Sequence, residues 1–319
     1  MNWERNINDY HMECIKLNTG RMMPGLGLGT FRSTDPRECE NSVLEALRIG
    51  YRLIDTAQAY GNEAYIGKAL SKTDVPREDL FIVTKVWFRN FDKAYDSVIQ
   101  SMKDLGVDYL DLVLLHWPFG DTYAAWRDLE KLYKEGLVRS IGVSNYEPDR
   151  LVDLIMYNEV VPAVNQIETN LVAQQKECHK WMEKYGVAHM SYAPFGQGRM
   201  DELYEDPALK AIAAKYGKTA RQVTLRYLLQ SDVILIPKSV KAERLKENFD
   251  VFDFTLSADD MAVLAAFDKN SPLIGRPENP ELVEMAAKII RDVGYESREK
   301  WKNHKITSSG GFSLMNMVK

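Results

Sequence analysis

The strongest constraint on this chain is a rhythm. Short runs rich in apolar and β-branched residues alternate with amphipathic segments along most of its 319 residues. Eight such runs occur, at 25–31, 52–55, 80–86, 110–116, 138–143, 163–167, 187–192 and 233–236. Several are almost continuously apolar, as in Leu112-Val113-Leu114-Leu115, the pattern of a strand covered on both faces. Between them apolar residues return at helical spacing. Cys39, Val43 and Leu47 do so after Asp35-Pro36, a cap residue followed by a proline suited to the first turn. Helices are expected at 93–105, 122–135, 148–157, 174–185 and 219–229, with stop signals at Gly136, Gly186 and Gly217. Strands alternating with helices predict a parallel sheet. Eight repeats over about 250 residues predict an α/β fold of the (β/α)8 TIM-barrel type.

The competing architecture is an open doubly wound sheet, which needs a glycine-rich turn between its first strand and a helix. Gly25-Leu26-Gly27-Leu28-Gly29-Thr30 ends in Thr30, and the next helix starts only near Pro36, so that fingerprint fails. Two short runs around Asn18-Thr19-Gly20 read as an N-terminal β-hairpin capping the barrel floor. Late in the chain, Leu256-Ser257-Ala258 opens a capped helix, and 270–280 forms a Pro- and Gly-rich C-terminal loop. A flexible tail is expected from about Ser308. The whole reads as a single domain, 1–319, with its core at about 15–290.

Composition bounds the partners. Hydrophobic residues make up 45% and the formal net charge is −5, which excludes a disordered chain and gives no basic field for nucleic acid. No apolar run approaches the roughly 20 residues of a membrane span. Residues 1–20 mix Glu4, Arg5, Asp9 and Glu13 without an apolar stretch, so no signal peptide is expected. The scattered Cys14, Cys39 and Cys178 fit reduced thiols in a cytoplasmic protein.

In such a barrel the reactive side chains sit where strands end. Here the runs end in Thr30-Phe31, Asp55, Lys85, His116, Ser144-Asn145, Gln166, Tyr192 and Lys238-Ser239. A carboxylate at the end of a buried strand requires a cation or donors, and Lys85 is the natural partner of Asp55. Beside Tyr60 such a pair has a chemical use, because the Lys85 ammonium would stabilise a phenolate and lower the tyrosine pKa. Taken singly, Asp55 or Lys85 reads more readily as a structural charge at a strand end. His116 has no second ligand at metal spacing and reads either as a core histidine or as a neutral donor to a substrate oxygen. His11, His179, His189 and His304 lack that strand-end context. Ser144 lacks the closing glycine of a nucleophile elbow. With Asn145 and Gln166 it forms a row suited to a planar amide, and Tyr192 is either a stacking platform or a core tyrosine. The strand end and helix start at 236–248, with Lys238, Ser239 and Arg244, suit a phosphate, the alternative being a solvated helix face.

These residues resemble the aldo-keto reductase family. Asp55-Thr56-Ala57, Tyr60-Gly61-Asn62-Glu63, Thr84-Lys85-Val86-Trp87, Leu115-His116-Trp117-Pro118, Gly142-Val143-Ser144-Asn145, Gln166, Tyr192-Ala193-Pro194 and Ile236-Pro237-Lys238-Ser239 carry the resemblance in family order, together with Arg244 and Glu247-Asn248. The subgroup is similar to bacterial diketogluconate-reductase-type members. The resemblance implies a monomeric NADPH-dependent carbonyl reductase acting on a small molecule, with Asp55, Tyr60, Lys85 and His116 as tetrad and Tyr60 as general acid. It places NADP(H) against Thr30, Phe31, Asp55, Ser144, Asn145, Gln166, Tyr192, Lys238, Ser239, Val240, Arg244, Glu247 and Asn248. It places substrate against Phe31, Trp87, His116 and Trp117. Position 31 is often tryptophan in relatives, so Phe31 bears on pocket width; Arg276 is either a contact for an anionic substrate or a solvated loop cation. A cofactor-sensing or partner-binding role on the same fold is the second reading, and the complete tetrad speaks against it. A metal-dependent lyase needs clustered ligands that the sequence lacks.

Overall fold

The computed structural model describes residues 3–5 and 12–293, with side chains over 12–288. The expected tail from Ser308, and His11 and His304, lie outside the described residues.

Eight parallel strands form one sheet in simple chain order: β4 (Leu28–Gly29), β5 (Leu53–Asp55), β6 (Phe81–Val86), β7 (Leu112–Leu115), β8 (Ile141–Ser144), β9 (Val164–Glu168), β10 (Ala188–Tyr192) and β11 (Val233–Leu235). The sheet closes on itself. Gly27 N–H donates to the Leu235 carbonyl at 2.8 Å, Leu235 N–H to Gly25 at 2.8 Å, and Gly29 N–H to Pro237 at 3.2 Å. The glycines of 25–29 have their reason here. A Cβ on Gly27 would stand 2.3 Å from the Leu53 side chain, and one on Gly29 would stand 2.5 Å from the Ile236 carbonyl. They let the first strand meet its neighbours closely.

Between the strands run α1 (Pro36–Ile49), α2 (Glu63–Leu70), α3 (Ala94–Leu105), α4 (Thr122–Lys134), α5 (Pro148–Met156), α6 (Lys176–Lys184), α7 (Pro207–Tyr216) and α8 (Ala220–Gln230). The helices α9 (Ala242–Phe249), α10 (Ala258–Ala265) and α11 (Pro280–Val293) follow the last strand. Asp35 caps α1 by accepting the Glu38 N–H at 2.8 Å, and Thr219 with Gln222 forms a capping box on α8. Gly136, Gly186 and Gly217 all take positive φ where stops were expected. The short helix α2 and the long α11 were not anticipated. Among the described residues no helix is long and apolar enough to cross a membrane.

Alternation along each strand splits the core in two. Ile54, Ile82, Val113, Val143 and Leu235 face the helices. Leu53, Phe81, Val83, Leu112, Leu114, Val164, Met190 and Ile234 fill the barrel. The hairpin seals its floor: β2 (Glu13–Lys16) pairs antiparallel with β3 (Met22–Pro24), and Ile15, Leu17 and Met23 join the interior cluster. A further strand, β1 (Trp3–Arg5), pairs with β2 and makes this a three-stranded sheet. Cys14, Cys39 and Cys178 are free and buried, and burial pushes Cys14 up to about 11 and Cys39 up to about 12.

Candidate active site

The interior phase that packs the barrel also aims its polar strand ends. Asp55 follows Leu53 by two residues, Lys85 follows Val83, His116 follows Leu114, Gln166 follows Val164, Tyr192 follows Met190 and Lys238 follows Ile236; each of the preceding residues belongs to the interior cluster. Residues two apart share a face of a strand, so these groups converge at one mouth. There a cavity of about 440 Å³ opens, walled by Phe31, Tyr60, Trp87 and His116 at one end and by Lys238, Arg221 and Gly198 elsewhere.

Behind the wall, the Lys85 Nζ donates to Asp55 Oδ1 at 2.6 Å and to the Thr56 carbonyl at 2.9 Å, and it lies 3.5 Å from the Tyr60 hydroxyl. The side chains of Lys85 and Asp55 are 0% and 1% exposed. The second Asp55 oxygen accepts Gln166 Nε2 at 2.9 Å, across the barrel. Tyr60 ends a 3-10 turn, Gln58–Tyr60, with its ring 5.1 Å from Phe31 and edge-on to His116 at 5.7 Å. His116 meets Trp87 at 5.2 Å, also edge-on.

The sequence reading missed the groups that brace this turn. Gln58 Oε1 accepts Trp87 N–H at 3.1 Å and Asn90 Nδ2 at 2.8 Å. Asn62 accepts the Thr56 hydroxyl at 2.7 Å and donates to the Thr30 carbonyl at 2.9 Å, and Thr84 donates to Glu63 at 2.6 Å. Every one of these bonds ties the 55–63 block to itself, to β6 or to the chain just after β4 or β6. The available signal was a dense run of polar residues directly after a buried strand.

Electrostatics correct one expectation. Burial, helped by the charge of Asp55 and by Tyr192, holds the Tyr60 phenol well above its ordinary 10. The Lys85 ammonium does not bring it down to the working range: its nearest acceptors are Asp55 and Thr56, the Asp55 carboxylate offsets its charge, and burial outweighs what is left. Burial also raises Asp55 and lowers Lys85, each opposed by the other's charge. His116 is held well below 6.5 by burial and then by Lys85, so its imidazole is neutral.

On the opposite wall the amide-binding candidates form one network. Ser144 donates to the Gln166 carbonyl at 2.8 Å, Asn145 Nδ2 to the His116 carbonyl at 3.0 Å, and the Tyr192 hydroxyl to Asn145 Oδ1 at 2.7 Å. Asn145 adopts φ 62°, which turns its amide back over the strand end.

Other expected contacts stand off the cavity. Trp117 is not on its wall: it follows inward-facing His116 by one residue, so it points to the helix layer, 1% exposed and stacked on Phe119 at 5.4 Å. Thr30 lies behind the wall, donating to the Asp55 carbonyl at 2.9 Å. Lys238 is on the wall, whereas Ser239, Val240, Arg244, Glu247 and Asn248 continue away from it along the loop and α9. Ser239 Oγ accepts Lys241 N–H at 3.1 Å, Arg244 pairs with Glu247, and Glu247 accepts the Thr219 hydroxyl at 2.8 Å. Arg276 is not on the wall either; it is tied to Glu278 and the Asn270 carbonyl. Unforeseen wall residues include Arg32, Arg221, Ala193, Pro194, Phe195, Gln197 and Gly198.

The donor set fits a dinucleotide, with hydroxyl and amide groups beside Tyr60 and His116 and the cations Arg32, Arg221 and Lys238 on the same cavity.

Residues 24–269 match the Aldo/keto reductase family. The chain is similar to an aldo-keto reductase of Mycolicibacterium smegmatis, 45% identical over 269 residues, covering 81% of this chain and 94% of that one. It is similar to methylglyoxal reductase DkgA of Escherichia coli, 40% identical over 267 residues, covering 83% and 96%. Among solved structures it resembles the Bombyx mori aldo-keto reductase in complex with NADP, with TM-score 0.78 and 35% identity, covering 82% of this chain and 94% of that one.

Proposed function

Because the chain belongs to the aldo/keto reductase family, we propose that it reduces a small aldehyde or ketone to the alcohol with NADPH, Tyr60 supplying the proton. The observation that supports this reading is the contiguous set of Tyr60, Asp55 and His116 on one cavity wall with Lys85 directly behind it. NADPH would supply hydride to the carbonyl carbon. Ser144, Asn145 and Gln166 would hold its carboxamide, Tyr192 its ring and Phe31 its flank. Lys238, Ser239, Val240 and Arg244 would hold the 2′-phosphate, and Glu247 and Asn248 the adenine.

The chain's own groups then have distinct tasks. The phenol of Tyr60, kept protonated by its burial, donates its proton to the carbonyl oxygen as that oxygen gains charge. Lys85, anchored by Asp55, keeps a positive charge 3.5 Å from the Tyr60 oxygen and so stabilises the phenolate that forms. Neutral His116 donates to the same carbonyl oxygen and orients it. Phe31 and Trp87 exclude water from the carbonyl. This aromatic end suits a small carbonyl compound, and methylglyoxal, the compound named for the Escherichia coli relative, is the first to assay. The same reading takes the chain as a single barrel domain acting as a monomer.

Tyr60→Phe tests the assignment. It is expected to bind NADPH normally while carbonyl reduction falls by roughly 10²–10⁴. Turnover like that of the unaltered protein would refute Tyr60 as the acid.

A further inference from the structure

One buried carboxylate near the cavity has no part in that chemistry. Glu168 ends β9, two residues beyond Gln166, and is 2% exposed. Its Oε1 accepts the Leu273 N–H at 2.6 Å and Asn170 Nδ2 at 3.1 Å, and its Oε2 accepts the Ile274 N–H at 2.8 Å. A buried carboxylate is costly without donors, and charge-assisted bonds of this kind are among the stronger ones. Two consecutive N–H groups from a segment over a hundred residues away supply them.

That segment reaches the cavity wall. The Leu273 carbonyl accepts a bond from Arg199. A Cβ on Gly196 would stand 2.8 Å from Leu273 Cδ1, so the Leu273 side chain lies against the Gly196 backbone. The next residues, Gln197 and Gly198, line the cavity. Their backbone is unusual: φ is 50° at Ala193, 62° at Gly196, 53° at Gln197 and 84° at Gly198. Positive φ at Ala193 and Gln197 is unfavourable and persists only where surroundings enforce it. The Leu273–Arg199 and Leu273–Gly196 contacts are such an enforcement, and Glu168 fixes Leu273. Further bonds hold the neighbouring chain, with Lys269 N–H on the Val172 carbonyl at 2.9 Å and Gln174 N–H on Asp268 at 3.1 Å.

We propose that Glu168 is a positioning residue: by docking the Leu273-Ile274 backbone it holds the 193–198 wall in its binding shape and so sets the affinity of the cavity for NADPH. This rests on the reading of the cavity as the NADPH site. The Glu168 carboxylate bonds to Leu273, Ile274 and Asn170, and on this proposal its loss is expected in binding rather than in the chemical step.

The experiment compares Glu168→Gln and Glu168→Ala with the unaltered full chain, by NADPH kinetics on methylglyoxal and by amide hydrogen exchange. If loss of the carboxylate leaves the wall in shape about a tenth of the time, KM for NADPH rises roughly tenfold. The turnover number should stay within about twofold, the signature of lost uniform binding. Glu168→Gln keeps one acceptor oxygen and should fall between, and it decides the matter if Glu168→Ala does not fold. Exchange at Leu273, Ile274 and 196–198 should accelerate in the same order. Unchanged KM and exchange in Glu168→Gln, or a loss of turnover number with KM unchanged, would overturn the proposal. If the unaltered protein oxidises no NADPH, the functional reading fails instead, and exchange at 196–198 still judges the clasp.

Discussion

Lys85→Met removes the cation from a pair whose members are 0% and 1% exposed and 2.6 Å apart. What remains around Asp55 is the single amide of Gln166 at 2.9 Å. Removing one partner of a buried pair costs about 3–5 kcal/mol, because an uncompensated charge stays behind. The loss must depend on pH. Burial already raises the Asp55 carboxyl, and the Lys85 charge is the leading influence opposing that rise. Without Lys85 the folded-state pKa climbs further above the unfolded value of about 3.9. A raised folded pKa means that the native state holds the proton more tightly. Its stabilisation is full below the unfolded pKa and is lost as pH rises through the folded pKa. The Lys85→Met deficit should therefore be small near about pH 4.5 and approach the full 3–5 kcal/mol near about pH 8. Adding Asp55→Asn removes the stranded charge, so the double variant should be more stable than Lys85→Met at about pH 8, with a coupling near the upper end of about 0.5–3 kcal/mol. Urea unfolding at both pH values measures each term. A deficit equal at both, or two single losses that simply add, would refute the account of Asp55 as a charge held by Lys85.

Two further outcomes concern activity. Since Tyr60 titrates well above 10, carbonyl reduction should show no loss from phenol ionisation through about pH 9, whereas alcohol oxidation, which needs the phenolate, should rise about tenfold per pH unit. Steady-state profiles in both directions check this, and a reduction profile falling through about pH 7–8 would contradict it. Arg244→Ala should weaken NADPH by roughly ten- to a hundredfold, the scale of one charge-assisted bond, and leave NADH nearly unchanged. Equal losses in titrations of both cofactors would remove Arg244 from the 2′-phosphate.

The barrel was legible because two periods dominate the chain. All eight expected runs overlap a strand, and their ends shift by one to three residues for local reasons. Leu110, for example, makes only a single bridge to Val138 and stays outside β7. Caps such as Asp35 and Thr219 are local chemistry and were readable. What escaped depends on distant partners. Helix α2 is eight residues long, and its polar start, Glu63, is buried against Thr84, which no periodicity reveals. Helix α11 follows a Pro- and Gly-rich stretch that reads as a loop with no helix signal after it, yet its Leu282 and Ala286 are buried. The glycines at 27 and 29 were recognisable as a pattern, but their cause is the closeness of Leu53 and Ile236, fixed only when the barrel closes.

For the site, position was legible and tuning was not. Counting in twos from Val83, Leu114 or Met190 assigns Lys85, His116 and Tyr192 to the interior, and the same count sends Trp117 outward, where the structure has it. That parity was available in the sequence and outweighs the attraction of an aromatic beside a strand end. The state of Tyr60 is different in kind. A sequence shows which charges are near in the chain but not how much water is removed from each, and here burial is the largest influence on Tyr60, His116, Asp55 and Lys85 alike. The consequence bears on direction. A phenol lowered toward neutral pH would serve as acid and base about equally, whereas one held well above 10 is a protonated acid throughout the working range. In the resting site Lys85 compensates Asp55, and on the proposed reading it would act on Tyr60 chiefly as the proton leaves, when its ammonium would face a new phenolate 3.5 Å away. On the proposed reading, an interaction that strengthens as charge develops on the Tyr60 oxygen would lower the barrier to proton transfer, so the protonated phenol and the neighbouring lysine would act together in reduction.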